Sequence, residues 1–146
     1  LVYSFKALAD DVALARRGTN AYGGLNIRMT PIKDMQVIHH ADSAEASPRR
    51  AWSDSLGVRQ GGTEAVGFAA LEKLTNPDDP GAWVEYGYLP WFQPTFPASG
   101  TRHVLKQGKP LVLEYRLWIR KAKETSAAEY KEQWDVYNGK AVAGSQ

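Results

Sequence analysis

Alternation of apolar and polar side chains runs through most of the first 120 residues and constrains the fold more than any other feature. Its clearest instance is residues 110–120, where every second residue from Leu111 to Ile119 is apolar or aromatic. Successive side chains of a strand point to opposite faces, so this period predicts a strand with one face in the core. Residues 2–8, 11–16, 22–29 and 33–40 also read as strands.

Two local signals complete the predicted architecture. Residues 50–58 and 64–73 flank a Gln-Gly-Gly-Thr turn and predict a hairpin. Residues 125–129, Thr-Ser-Ala-Ala-Glu, offer a capping residue and an acidic first turn for a helix over about 125–137. Its Tyr130, Trp134 and Tyr137 should dock on a sheet. Residues 140–146 are expected to be loose. The sequence therefore predicts one all-β domain over 1–146, an antiparallel β-sandwich of about eight strands with one C-terminal α-helix.

Composition argues against several classes of function. A net charge of +2 without a run of five like charges gives no indication of nucleic-acid binding. The sequence has no apolar run long enough for a membrane helix, no cysteine, no phosphate-binding loop and no His-Glu-x-x-His motif, so no membrane contact, cofactor or metal is expected. The chain starts without Met. Either a leader has been removed, which favours a periplasmic or secreted location, or an N-terminal half is missing.

Six of the sixteen aromatic residues fall within fourteen positions, interleaved with Glu85 and Gln93. Prolines 90, 94 and 97 stand among them, and proline cannot donate to a central sheet ladder, so a loop or sheet edge wrapping a cleft is predicted. Flat rings with polar neighbours suit a sugar, whereas the alternative is a hydrophobic plug beneath a long loop. The six rings are Trp83, Tyr86, Tyr88, Trp91, Phe92 and Phe96.

Candidate acid and base groups are few. His39 and His40 are adjacent on a predicted strand, so they point to opposite faces and at most one enters a given pocket. Glu85 lies between two aromatic residues, where partial burial would raise its pKa towards the range of a general acid. Arg28 follows a double glycine. Its planar guanidinium could bind a carboxylate or a pair of hydroxyls. The alternative is an arginine on a strand face without a ligand.

Residues 50–54 place Trp52 and Asp54 on one strand face, together with Arg50. A ring, a carboxylate and a charge side by side are typical of a sugar site. They are equally typical of a cross-strand ion pair involving Glu64.

Several segments resemble, in order, a bacterial family often labelled "methane oxygenase PmoA". They are YGGL at 22–25 with Arg28, RAWSD at 50–54, VGFA at 66–69, NPDDPGAW at 76–83 and LVLEYRLWI at 111–119. The resemblance implies a β-sandwich related to galactose-mutarotase-like supersandwiches, in bacteria that degrade polysaccharides. Members of that family are about twice as long, so this chain resembles their C-terminal half.

The leading hypothesis is a carbohydrate-binding or carbohydrate-processing protein with an aromatic-lined cleft. Trp52, Trp83 and Trp91 would stack on the sugar, and Arg28, Glu85 and Gln93 would form hydrogen bonds to it. Any catalysis would be a mutarotase-like or lyase-like proton transfer on the sugar, with His39 or His40 and Glu85 as the base and the acid across its ring. The alternative is a non-catalytic assembly domain, a homo-oligomer that uses the aromatic segment as a protein interface. A third reading is a metal-dependent enzyme using His39 or His40 with Asp54 or Glu64.

Overall fold

The computed structural model describes residues 1–19, 22–39, 51–86, 88–121 and 125–140. Its described part is mostly β, with one α-helix near the C-terminus, which confirms the predicted all-β class. Ten strands are found there, where about eight were expected. The elements are β1 (Val2–Phe5), β2 (Val12–Ala15), β3 (Ile27–Arg28), β4 (Ile32–His39), β5 (Trp52–Arg59), β6 (Ala65–Glu72), β7 (Ala82–Glu85), β8 (Trp91–Thr95), β9 (Arg102–Leu105), β10 (Leu111–Lys121) and α1 (Ala127–Tyr137).

The strands form three antiparallel sheets. A five-stranded sheet has the order β1-β10-β6-β5-β4, a three-stranded sheet the order β3-β8-β7, and β2 pairs with β9. The predicted hairpin is confirmed as β5 and β6, and the strongest predicted strand is confirmed as β10. Ile27, Trp83 and Phe92 of the three-stranded sheet pack against Ala70 of β6 and form the core between the two sheets.

The helix covers the other face of the five-stranded sheet. Ser126 caps it by accepting a hydrogen bond from the Glu129 backbone, while the Glu129 carboxylate accepts one from the Ser126 backbone, as the sequence predicted. Tyr130 is buried against Trp52, and Trp134 donates from Nε1 to the carbonyl of Glu72 at 2.9 Å. The docking of the predicted aromatic stripe is therefore confirmed.

The aromatic segment folds differently from its prediction. Residues 82–95 contain a β-hairpin, and β8 is the middle strand of its sheet instead of a loop or edge. Pro94 is tolerated there because the two-residue β3 pairs only with Trp91 and Phe92 and ends before reaching it. The predicted strand over 22–29 shrinks to β3 for a related reason, since Gly24 has a left-handed backbone (φ +74°) that interrupts extended structure.

Strand β4 keeps its predicted alternation only in its second half. A register shift lies between Lys33 and Gln36, next to Asp34 with a φ of 53°. Beyond it, Ile38 packs into the helix-covered cluster, and His39 contacts Glu85 of the three-stranded sheet. Ile38 and His39 therefore face opposite sides of the sheet. His40, Arg50 and the predicted loose tail after Lys140 lie outside the described residues.

Two buried tyrosines make stability sensitive to alkaline pH. Burial raises the pKa of Tyr115 and of Tyr130, and the hydrogen bond to Asp54 raises the latter further. The unfolded chain then releases these protons from about pH 10 upwards while the native state keeps them, so stability is full below that pH and falls above it. We expect a loss of about 1.4 kcal/mol per pH unit for each tyrosine. Denaturant titrations of the wild type and of Tyr115→Phe measure this, and an unchanged slope in the variant would contradict it.

Candidate functional site

A surface cluster of aromatic and polar side chains surrounds the first residue of β8. We call it the Trp91 patch. Arg28 reaches it from β3 because the register places Arg28 directly opposite Trp91. The other members come from the segments before β3 and after β7. The patch consists of Tyr22, Asn26, Arg28, Tyr86, Tyr88 and Trp91.

Three rings of the patch are stacked, and a fourth meets them edge-on. The Trp91 ring centroid lies 4.7 Å from that of Tyr86 and 5.4 Å from that of Tyr22, with interplanar angles of 19° and 16°. Tyr88 meets Tyr86 edge-on at 6.2 Å. Trp91 Nε1 donates to Asn26 Oδ1 at 3.2 Å, which fixes the indole in its plane. Four rings are therefore held in a defined arrangement before any ligand arrives.

The outer members of this stack are open to solvent. Tyr22 is 47% exposed and Tyr88 80%, whereas Tyr86 and Trp91 are half-buried. Trp91 is thus in contact with solvent, as the ligand-facing hypothesis requires. The patch is a shallow surface, which differs from the enclosing cleft that the prolines suggested.

Arg28 lies across the central indole. Its guanidinium carbon is 4.3 Å from the Trp91 ring centroid, a cation–π contact. The residue is exposed, and among the residues that the structure describes no carboxylate forms an ion pair with it. Its hydrogen-bonding edge is consequently available to a ligand.

His39 and Glu85 contact each other directly, whereas the hypothesis of proton transfer placed them on either side of a sugar ring. Nδ1 of His39 lies 3.0 Å from Oε2 of Glu85, and the pair links β4 of one sheet to β7 of the other. His39 also lies opposite Ser53 on the neighbouring strand. The resulting Ser, His and Glu set is not a nucleophilic triad, because Ser53 is 0% exposed and cannot meet a substrate.

Four predicted ligand contacts are corrected by burial. Trp83 is 4% exposed and packs on Phe92 between the sheets, because its hairpin position turns it inward. Trp52 is 5% exposed beneath α1, and Gln93 and Asp54 are 2% and 0% exposed. None of the four can present a face or an edge to a sugar at the surface.

Asp54 instead holds the helix. Its Oδ2 lies 2.7 Å from Nη2 of Arg120 and accepts a hydrogen bond from the Tyr130 hydroxyl at 2.5 Å. Glu64, which the sequence offered for a cross-strand ion pair with the face of residues 50–54, pairs instead with Lys121 at the surface at 3.1 Å. Because His39 faces the opposite side of the sheet from Asp54, the metal-site reading that joins these two is wrong. Within the described ranges, no three His, Cys, Asp or Glu side chains are grouped to hold a metal.

A separate apolar cavity of about 530 Å³ lies behind the patch, between the edge strand β1 and the segment 23–26. Asn26 belongs to both features, since it lines the cavity and accepts the hydrogen bond from Trp91. The cavity carries no acid or base. Its other lining residues are Tyr3, Phe5, Leu14, Ala15, Gly23, Gly24, Leu25, Phe96, Pro97, Leu111, Leu113 and Tyr115.

A family described as "Family of unknown function (DUF6807)" matches residues 1–135. The chain belongs to this family. No curated protein and no solved structure matches the sequence. The resemblance to PmoA-labelled and mutarotase-like proteins therefore stays a prediction. Among the helices that the structure describes, none is long and apolar enough to cross a bilayer.

Tyr22 and Asn26 are the members of the patch that the sequence did not single out. One signal was present for Asn26, because it precedes Arg28 by two positions and residues at that spacing share a strand face. Tyr22 gave no comparable signal, since it reaches Trp91 only after the glycines that follow it have redirected the chain.

Proposed function

We propose that this member of the DUF6807 family binds a carbohydrate on the Trp91 patch. One observation supports this most strongly. Three stacked rings and a fourth that meets them edge-on include two solvent-exposed tyrosines, and the central Trp91 contacts an amide and a guanidinium. Exposed apolar patches of this kind commonly mark binding sites on proteins.

The chemistry of the patch matches that of a sugar ring. The C–H face of a pyranose is apolar and packs on a flat ring, while its hydroxyls lie around the rim and need donors and acceptors. The exposed rings of Tyr22 and Tyr88 supply the flat surfaces on which the sugar packs. Arg28 supplies donors, and the Tyr22 and Tyr88 hydroxyls supply further donors and acceptors. A shallow surface with rings at two ends suits several linked sugar units better than one enclosed unit.

Trp91 organises this surface. Tyr22, Tyr86 and Arg28 all contact its ring, so it fixes the spacing between the exposed side chains. Catalysis by His39 and Glu85 is not part of the proposal, because their contact lies between the two sheets and the Glu85 side chain is only 15% exposed.

Tyr22→Ala is expected to weaken oligosaccharide binding at least tenfold, about 1.4 kcal/mol, because one of the two exposed faces disappears. Titration calorimetry of a glycan panel measures the affinity. Tyr3→Ala is a matched control, since Tyr3 is also a partly exposed tyrosine stacked on one ring, that of Phe5, but lies outside the patch. Equal affinities of the two variants would contradict the assignment.

The assembly hypothesis gives a different result in the same samples. A protein interface at the patch would appear in light scattering as a mass that rises with concentration and returns to the monomer in Tyr22→Ala. If this result were found and no glycan of the panel bound, the function proposed for the patch would be self-association instead of carbohydrate binding.

A further inference from the structure

We infer that the carbohydrate carries a carboxylate, so that the patch selects uronic-acid-containing saccharides over neutral ones. This inference rests on the proposed function and is carried by Arg28. The guanidinium lies over the Trp91 ring at 4.3 Å from its centroid, so its orientation is set before binding. Asn26, two residues earlier, accepts a hydrogen bond from the same indole.

A stacked guanidinium is suited to a planar anion. The face of the group is covered by the indole, which leaves the N–H edge to make two parallel hydrogen bonds to a carboxylate. A carboxylate accepts both at once and neutralises the charge. A pair of sugar hydroxyls has the right spacing for one such contact but adds no opposite charge, so it gains less from Arg28.

Four other cations in the described part of the chain lie over aromatic rings, and two of them have a second polar partner. Arg120 lies over Trp118 but also forms the buried ion pair with Asp54. Lys73 lies over Tyr137 but also donates to the carbonyl of that residue at 2.8 Å. In the described part of the chain, Arg28 has neither kind of second partner. Arg116 over Tyr137 and Lys140 over Trp134 also show no such partner among the described residues, but their rings belong to helix α1. Arg28 is the stacked cation of the Trp91 patch, so its polar edge is the one placed to meet a ligand there.

The test compares two ligands that differ only in charge. An oligogalacturonide and its methyl ester have the same length and linkage, and esterification removes the carboxylate charge. We expect the acid to bind at least tenfold more tightly to the wild type at low ionic strength. This preference should shrink as salt is added, because the contact is at the surface. Calorimetry at two salt concentrations measures both effects.

Arg28→Lys keeps the positive charge but loses the planar fork, so the acid is expected to lose much more affinity than the ester and the preference for the acid to fall by most of its value. Arg102→Lys is the matched control, an exposed strand arginine outside the patch, and should keep the full preference. Full preference in Arg28→Lys would overturn the role of Arg28. Equal binding of acid and ester by the wild type would overturn the inference but leave carbohydrate binding standing. Failure of both ligands and of the wider panel would overturn both.

Discussion

Replacing Asp54 with alanine is expected to lower the free energy of unfolding by about 3–5 kcal/mol. Asp54 is fully buried and pairs with Arg120, whose side chain is 10% exposed. Removal of the carboxylate leaves a guanidinium in the interior without its counterion. It also takes the acceptor from the Tyr130 hydroxyl, so the helix loses a polar tether to the sheet. Urea denaturation followed by circular dichroism measures the change.

The surface pair beside this site provides the control. Glu64 and Lys121 lie 3.1 Å apart at the end of the same sheet, with side chains that are 67% and 81% exposed. Glu64→Ala removes one charge of an ion pair as Asp54→Ala does, but both partners are already solvated, so a loss below about 1 kcal/mol is expected. If the two variants lost the same stability, burial would not be the reason for the effect.

The elements that the sequence predicted well are those specified by neighbours in the chain. Strand β10 shows its period over eleven residues, and helix α1 has its own capping box, so both could be predicted without knowing what packs on them. Trp52 and Asp54 were placed correctly on one strand face. The sequence did not reveal that α1 would cover that face, and their burial was therefore missed.

The patch depends on contacts that no local pattern contains. Asn26 and Trp91 are 65 positions apart and meet only because β3 pairs with β8. The density of rings in the segment 83–96 indicated an aromatic surface. The assignment of individual rings to core or solvent required the hairpin register, which turns Trp83 inward and leaves Tyr86 and Trp91 partly accessible.

Gly24→Ala is expected to lower the free energy of unfolding by about 2–5 kcal/mol, through a left-handed backbone and a steric clash together. Gly24 has a φ of +74°, and a Cβ at this position would lie 2.3 Å from the carbonyl oxygen of Pro94 and 2.8 Å from the amide nitrogen of Phe96. Both contacts are backbone atoms, so no side chain can rotate away. The segment must move off the end of β8.

Gly61→Ala separates the two causes. Gly61 also has a positive φ, +81°, but a Cβ there meets nothing within 4 Å, so only the conformational cost of about 1–2 kcal/mol remains. Denaturant titrations of both variants measure the difference, and equal losses of stability would show that the clash does not contribute.

Because Gly24 lies between Tyr22 and Asn26, the displaced segment carries two members of the Trp91 patch with it. Gly24→Ala should therefore also weaken saccharide binding under conditions where the variant remains folded, whereas Gly61→Ala should not.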